Sequence, residues 1–223
     1  MTSLTDFNGS APLFPLPNAA LFPHVVQPFH MFEPRYREMT ADALAGDRYL
    51  ALGVLKPGYE DKYNRKNAPI YDTVCLGRIS DGERLPDGRY NVNVQGLVRA
   101  RVIDEVDGPE LYRVASLEIV EDVETGSDAE IRSAADNIVN AFGQLYPQLA
   151  EHPAVRKMLK SELPFSVLCD FIAHAIEIDC ETAARVLCET DLLARGRVLS
   201  TWMNAKLSSE TAKRPFPPAF SVN

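Results

Sequence analysis

Two histidines, His24 and His30, lie close together in "LFPHVVQPFHMFEPRY" (residues 21–36), followed by Glu33 and Arg35. Imidazoles can act as general bases. A catalytic pair also needs a nucleophile and an orienting carboxylate within hydrogen-bond reach, and nothing in the sequence places them. The expectation is two surface or half-buried imidazoles and no catalytic residue. Glu33 and Arg35 bracket a helix start, where a carboxylate is favoured by the helix dipole. The pair could grip a peptide terminus; the favoured reading is that it closes the helix onto the body of the protein. The cysteines Cys75, Cys169, Cys180 and Cys188 show no C-x-x-C spacing. With His152 and His174 added, no cluster has metal-ligand spacing, so no metal or other cofactor is expected. Free thiols in a reducing cytoplasm are the simpler reading.

Three other groups could bind rather than react. Tyr59, Tyr63 and Tyr71 fall in "PGYEDKYNRKNAPIYD" (57–72), read as a long polar loop. Tyrosines there supply contact area for a peptide at low entropic cost, or pin the loop to the core. Arg78, Arg89, Arg99 and Arg101 could line a strip for RNA. Against that stand the net charge of −8, from 23 Lys and Arg against 31 Asp and Glu, and the lack of interleaved aromatics. Solvated strand faces with Arg–Asp pairs explain the arginines more simply. Finally, "KRPFPPAFSVN" (213–223) sets Phe216 and Phe220 among prolines, a stiff apolar segment suited to docking in a groove.

These residues need elements to position them. With 46% hydrophobic and 24% charged residues, a packed core is expected. No apolar run approaches the ~20 residues of a membrane span. Residues 12–36 carry six prolines, which rules out a long helix and argues against a central strand. In "RYNVNVQGLVRARVIDEV" (89–106), Tyr90, Val92, Val94, Val98, Ala100 and Val102 alternate, which predicts one buried strand face. Gly96 falls in that row, predicting a bend or a close backbone crossing. Flanking strands are expected at 73–80 and 111–120, an apolar strand at 49–56, and a helix begun by Pro34 and ended by Gly46.

After Glu124 the pattern turns helical. Ser127 and Glu130 fit a capping box, followed by Ile131, Ala135, Ile138, Phe142 and Leu145 at helical spacing. Pro147 and Pro153 bracket a break. Phe165, Leu168, Cys169, Ile172 and Ile176 form another stripe, Asp179 can cap a short helix, and residues 191–207 form the last one, with Leu192, Leu199, Trp202 and Met203 inward. Strands then helices predicts an α+β fold: 1–124 a β subdomain with one inserted helix, 125–210 a helical bundle, 211–223 a proline-rich tail.

The order "PLFPLPNAALFP", "PFHMFEPRYREM", "YNVNVQGLVRARV", "YRVASLEIVED" and "LCETDLLARGRVLSTWM" resembles the N-terminal substrate-binding domain of the Lon proteases, over roughly residues 11 to 207. The resemblance implies a PUA-like antiparallel pseudo-barrel followed by a helical bundle. It makes P-L-F-P-L and L-F-P short barrel strands and E-P-R-Y the start of a helix plugging one end. The sequence has no G-x-x-x-x-G-K-[ST], and no room for a Ser–Lys protease, so it resembles free-standing members that carry the substrate-binding part alone. What that implies is a cytoplasmic, non-enzymatic module that captures apolar or unfolded client polypeptide, with a protease or chaperone as a further partner. An RNA-binding PUA-like module and a structural oligomerisation module are the alternatives.

Overall fold

A computed structural model describes residue 4 and residues 6–59, 68–161 and 163–212. Six strands and seven helices follow in the order β1 (Ser10–Leu16), β2 (Val26–Met31), α1 (Pro34–Ala45), β3 (Tyr49–Leu55), β4 (Ile70–Arg84), β5 (Tyr90–Val106), β6 (Arg113–Val120), α2 (Asp128–Leu145), α3 (Pro147–Glu151), α4 (Pro153–Leu159), α5 (Phe165–Ala175), α6 (Cys180–Cys188) and α7 (Leu192–Ala212). The sheet order is β2-β5-β4-β3-β1-β6, and β6 also pairs with β5, so five strands close into a ring with β2 attached outside it. The fold is α+β, a pseudo-barrel followed by helices.

The ring differs from an all-antiparallel barrel in one pairing, because β1 and β3 run parallel. Nor is β1 an edge strand, in spite of Pro12 and Pro15. Its pairing with β6 covers Ser10–Leu13 and its pairing with β3 covers Leu13–Leu16. The two overlap only at Leu13, so each proline has one unpaired side on which its missing N–H costs nothing. Pro28 lies on β2, which pairs only with β5. The Leu21–Phe22–Pro23 segment is not a strand. It crosses the outside of β5, where the Gly96 N–H donates to the Val25 carbonyl at 2.8 Å and the His24 N–H donates to the Gly96 carbonyl at 2.9 Å. A Cβ on Gly96 would overlap the Phe22 carbonyl oxygen and lie 3.0 Å from Cys75 Sγ. The close crossing is why this position has no side chain.

Two apolar clusters share the wall. All five ring strands contribute to the interior one, among them Leu13, Ala51, Leu76, Ala100 and Leu117. The other lies outside the ring. It joins Leu52, Cys75 and Val94 to Met39 of α1 and to Phe142, Ile172, Val186 and Leu199 of the bundle. With one face on each cluster, β3 is buried at every residue, which explains its uninterrupted apolar run.

β5 departs from the simple alternation expected of it. Tyr90, Val92 and Val94 join the outer cluster, while Val98, Ala100 and Val102 face the interior one. The cause is a register shift: Gly77 pairs with Gly96 and Leu76 with Val98, leaving Leu97 as an extra residue. A bulge reverses the parity of every residue after it. Arg99 thereby turns toward the bundle and is 3% exposed, not solvated as its sequence position suggested.

The helices form where expected. The Ser127–Glu130 capping box opens α2, the Asp179 side chain accepts from the Thr182 N–H to open α6, and Glu33 is the N-cap of α1. Each of the two prolines opens a short helix: α3 lies between them, and α4 starts at Pro153, so the break is confined to His152.

Gly96→Ala should lower unfolding free energy by at least ~2 kcal/mol in urea titrations, since a backbone carbonyl must move to admit the methyl. A Cβ on Gly143 in α2 would meet nothing within 4 Å. Gly143→Ala should therefore stabilise, by up to ~1 kcal/mol.

Candidate functional site

Bundle and barrel are joined by buried charge. Arg99 on β5 donates to Asp170 on α5 through both terminal nitrogens, at 2.5 and 3.2 Å, and its Nε donates to the Leu187 carbonyl of α6 at 3.0 Å. Asp122, just after β6, lies 3.8 Å from Arg99 and accepts from Arg195 of α7 at 2.9 Å. Arg195 is completely buried and also donates to the Glu189 carbonyl. Burial pushes the Asp170 carboxyl above the ordinary carboxylate range, with the Arg99 charge opposing that shift. Burial likewise pushes the Cys75 thiol up, and the Cys169 thiol up to about 12. These cysteines are free and unreactive in this setting.

This network sets the height of α5 against the barrel, and beside it a groove opens. One wall is the Asn18–Phe22 segment with Gln27 of β2; the other is Ala173 and His174 of α5, Ile176 just after it, and Ala183 of α6. The groove holds about 330 Å³. It meets a second hollow of about 470 Å³ at Glu177 and Ile178, which runs along Trp202 and Lys206 of α7. The Trp202 indole is held by donating to Asp179 at 3.1 Å. Polar and apolar groups share the first groove almost evenly, with Asn18, Gln27, His174 and Glu177 among the polar ones. The Gln27 Oε1 atom is buried and has no hydrogen-bond partner among the described residues. A buried acceptor without a donor is costly. His174 stands at the rim, where burial holds its pKa below the usual imidazole value.

The tyrosines expected to form a surface are not brought together. Tyr59 is partly buried against the ring interior. Tyr71 is not in a loop: β4 begins at Ile70, so Tyr71 is a strand residue packed on the outer cluster, with Lys56 Nζ 5.9 Å from its ring. Tyr63, Phe216 and Phe220 lie outside the described residues. The arginines do not line one strip either. Arg99 is buried, Arg101 faces Glu118 at 3.5 Å, Arg89 is held by Asp87, and Arg78 stacks over Tyr49. His24 and His30 are exposed, and His30 Nδ1 lies 2.7 Å from Asn91 Oδ1, an arrangement without a nucleophile. The Glu33 carboxylate accepts from Arg35 Nε at 3.0 Å within the helix start. Among the described residues no cluster of His, Cys, Asp or Glu is arranged for a metal ion, and no helix is long and apolar enough to cross a membrane.

Sequence reasoning missed the ion network and Gln27. Arg195 was detectable, because it falls on the inward stripe between Leu192 and Leu199, where a charge must find a buried partner. Arg99 was not, because its direction depends on the bulge.

The architecture is a five-strand ring with a helical bundle packed on its outer face and a groove at the seam. Residues 10–205 match the family described as the ATP-dependent protease La (LON) substrate-binding domain, and the chain belongs to that family. Among its relatives, the Lon protease of Anaeromyxobacter dehalogenans is 25% identical over 203 residues, covering 90% of this chain and 24% of that protein. Lon protease 2 of Myxococcus xanthus is 26% identical over 197 residues, covering 87% and 23%. The chain thus spans about a quarter of the length of these relatives. In fold it is similar to the N-terminal domain of Mycobacterium avium complex Lon protease, with TM-score 0.69 and 17% identity, over 87% of this chain and 98% of that one. The Lon N-terminal domain protein from Xanthomonas campestris gives 0.62 and 19% with the same coverage.

Asp170→Asn should cost ~3–5 kcal/mol in urea unfolding, because it strands a buried guanidinium. The paired change Arg99→Met with Asp170→Leu should recover most of that loss. For His174, a folded-state pKa below the unfolded value means that its stabilising contribution is complete above 6.5 and lost as pH falls through the folded pKa. The His174→Gln variant should therefore show a flatter acid limb than the parent in melts taken across that range.

Proposed function

We propose that this chain is a non-enzymatic polypeptide-binding module that holds apolar or unfolded segments of a client in the groove between barrel and bundle. The observation that carries this is the groove at the seam of barrel and bundle, where Ala19, Ala20 and Phe22 face Ala173, Ile176 and Ala183. An extended segment would lay small apolar side chains against these residues and its backbone beside the polar Asn18, Gln27 and Glu177. Family membership supports the reading, since the matched domain is described as substrate-binding. A protease or chaperone would be the natural recipient of such a client, and the cytoplasm a fitting compartment. Residues 213–223 continue from α7, whose Ser209 lines the neighbouring hollow. With Phe216 and Phe220 they are suited to compete for the same trough.

The test uses a permanently unfolded, reduced and alkylated protein as client in fluorescence anisotropy. Ile178→Asp, at a half-buried groove position packed on the outer cluster, should weaken binding by about tenfold, roughly 1.4 kcal/mol, in samples whose circular dichroism shows the fold intact. Truncation after Ala212 should tighten it. Unchanged affinity in Ile178→Asp would remove the groove from consideration.

A further inference from the structure

The β4–β5 ladder ends at Thr73 and Arg101. Beyond it the strands part. β4 stays with β3 as far as Leu55–Ile70, while β5 continues with β6 to Val106–Val114. Between them lies a cleft of about 510 Å³, lined by Ile70, Asp72, Val102, Glu105, Val106 and Asp107 among others. No strand among the described residues pairs with the β4-facing edge of Val102–Val106. In a two-stranded antiparallel arm, alternate residues aim their N–H and C=O groups away from the partner strand, here into the cleft. Of these groups the Glu105 N–H already donates to Asp104 Oδ1 at 2.8 Å. Val106, which lines the cleft, is 54% exposed. Arg113 spans the base of the opening, donating to Glu105 on β5 and, at 2.7 Å, to the Ala68 carbonyl before β4. Arg113 thereby ties the two sides together at the base, and the described residues leave a cleft above it.

We propose that this opening is a docking edge for an extended basic polypeptide segment, which would add a strand along β5. This is a second polypeptide site, separate from the junction groove, with its own partner chemistry. Charge sets that chemistry. Residues 102–112 contain Asp104, Glu105, Asp107 and Glu110 and no Lys or Arg. Asp72 adds a carboxylate from the β4 side, with Lys56 3.8 Å away on the rim. Arg113 is already committed to Glu105. A second copy of this chain, presenting the same carboxylates on an acidic protein, would be repelled. A segment alternating small apolar and cationic residues instead satisfies the strand edge, covers Val106 and neutralises the rim.

The probe is a short fluorescein-labelled peptide alternating Lys and Val, measured by anisotropy and by amide chemical shifts of the labelled protein. Saturable binding is expected, with shifts centred on Ile70–Thr73 and Val102–Val106. Asp72→Lys with Asp107→Lys, both at exposed positions, should weaken it by about tenfold. Methylating alternate peptide nitrogens should abolish it, and the Glu–Val analogue should not bind. Ile178→Asp should leave it unchanged, which separates this site from the junction groove whichever of the two fails. No binding of the Lys–Val peptide, equal binding of the Glu–Val or N-methylated peptides, or shifts confined to Gln27 and Ala173 would overturn the proposal.

Discussion

The buried guanidinium of Arg99 is the constraint on which the rest of the arrangement depends. A charged side chain withdrawn from water must be paired and fully hydrogen-bonded, and Arg99 meets that demand only where Asp170 and the Leu187 carbonyl converge. Moving α5 or α6 by a helical turn would leave the charge without partners. Asp122 and Arg195 repeat the device between the end of β6 and α7. Withdrawing both the Arg99 and Asp170 charges from water costs desolvation that offsets much of their attraction. The pair's contribution is to penalise every other docking of bundle on barrel. The groove inherits that definition, because Ala173 and His174 follow Asp170 within about one helical turn.

That geometry begins with one residue. Leu97 is extra in the β4–β5 ladder, and the reversal of parity after it sends Arg99 outward to the bundle and Ala100 inward to the ring. At the same place Gly96 admits the Phe22 carbonyl, so the Asn18–Phe22 wall of the groove is laid against β5 one step before the bulge. Bulge, crossing segment and ion pair are consecutive on the strand. Barrel wall, groove wall and bundle anchor are therefore fixed relative to one another by a few residues of backbone.

Local chemistry was legible in the sequence wherever it acts within a few residues. The capping box at Ser127, the Asp179 cap, the stripe Phe165–Ile176 and the missing side chain at Gly96 each follow from neighbours in the chain. What escaped depends on residues far apart. A bulge is invisible until two strands are paired, so the alternation of β5 read as one face and Arg99 as solvated. The Leu21–Pro23 segment was expected as a strand only because the resemblance implied one, and a crossing buries its apolar residues as well as a sheet does. Tyr71 read as loop because the polar run before it hid the start of β4. Of the groove, the helical wall was implied by the stripe on α5, while Gln27 was not, since an isolated glutamine carries no pattern.

The ring also explains why an opening should exist in an otherwise paired wall. Closure requires β6 to serve two neighbours, and Val114–Ser116 pair with both β1 and β5. To reach β6 there, β5 must run on past the last residue it shares with β4. A shift at Ile103 adds twist to that arm, as bulges do. β4, held by β3 on its other side, cannot follow. The gap is thus the geometric consequence of closing a short mixed ring with one long strand. Among the described residues no strand pairs with the outer edge of that arm. The carboxylates of Asp104 and Asp107 restrict what could use that edge, since they repel acidic chains, including this one, and attract cationic ones. Closure of the ring creates the edge, and the charges upon it decide what can use it.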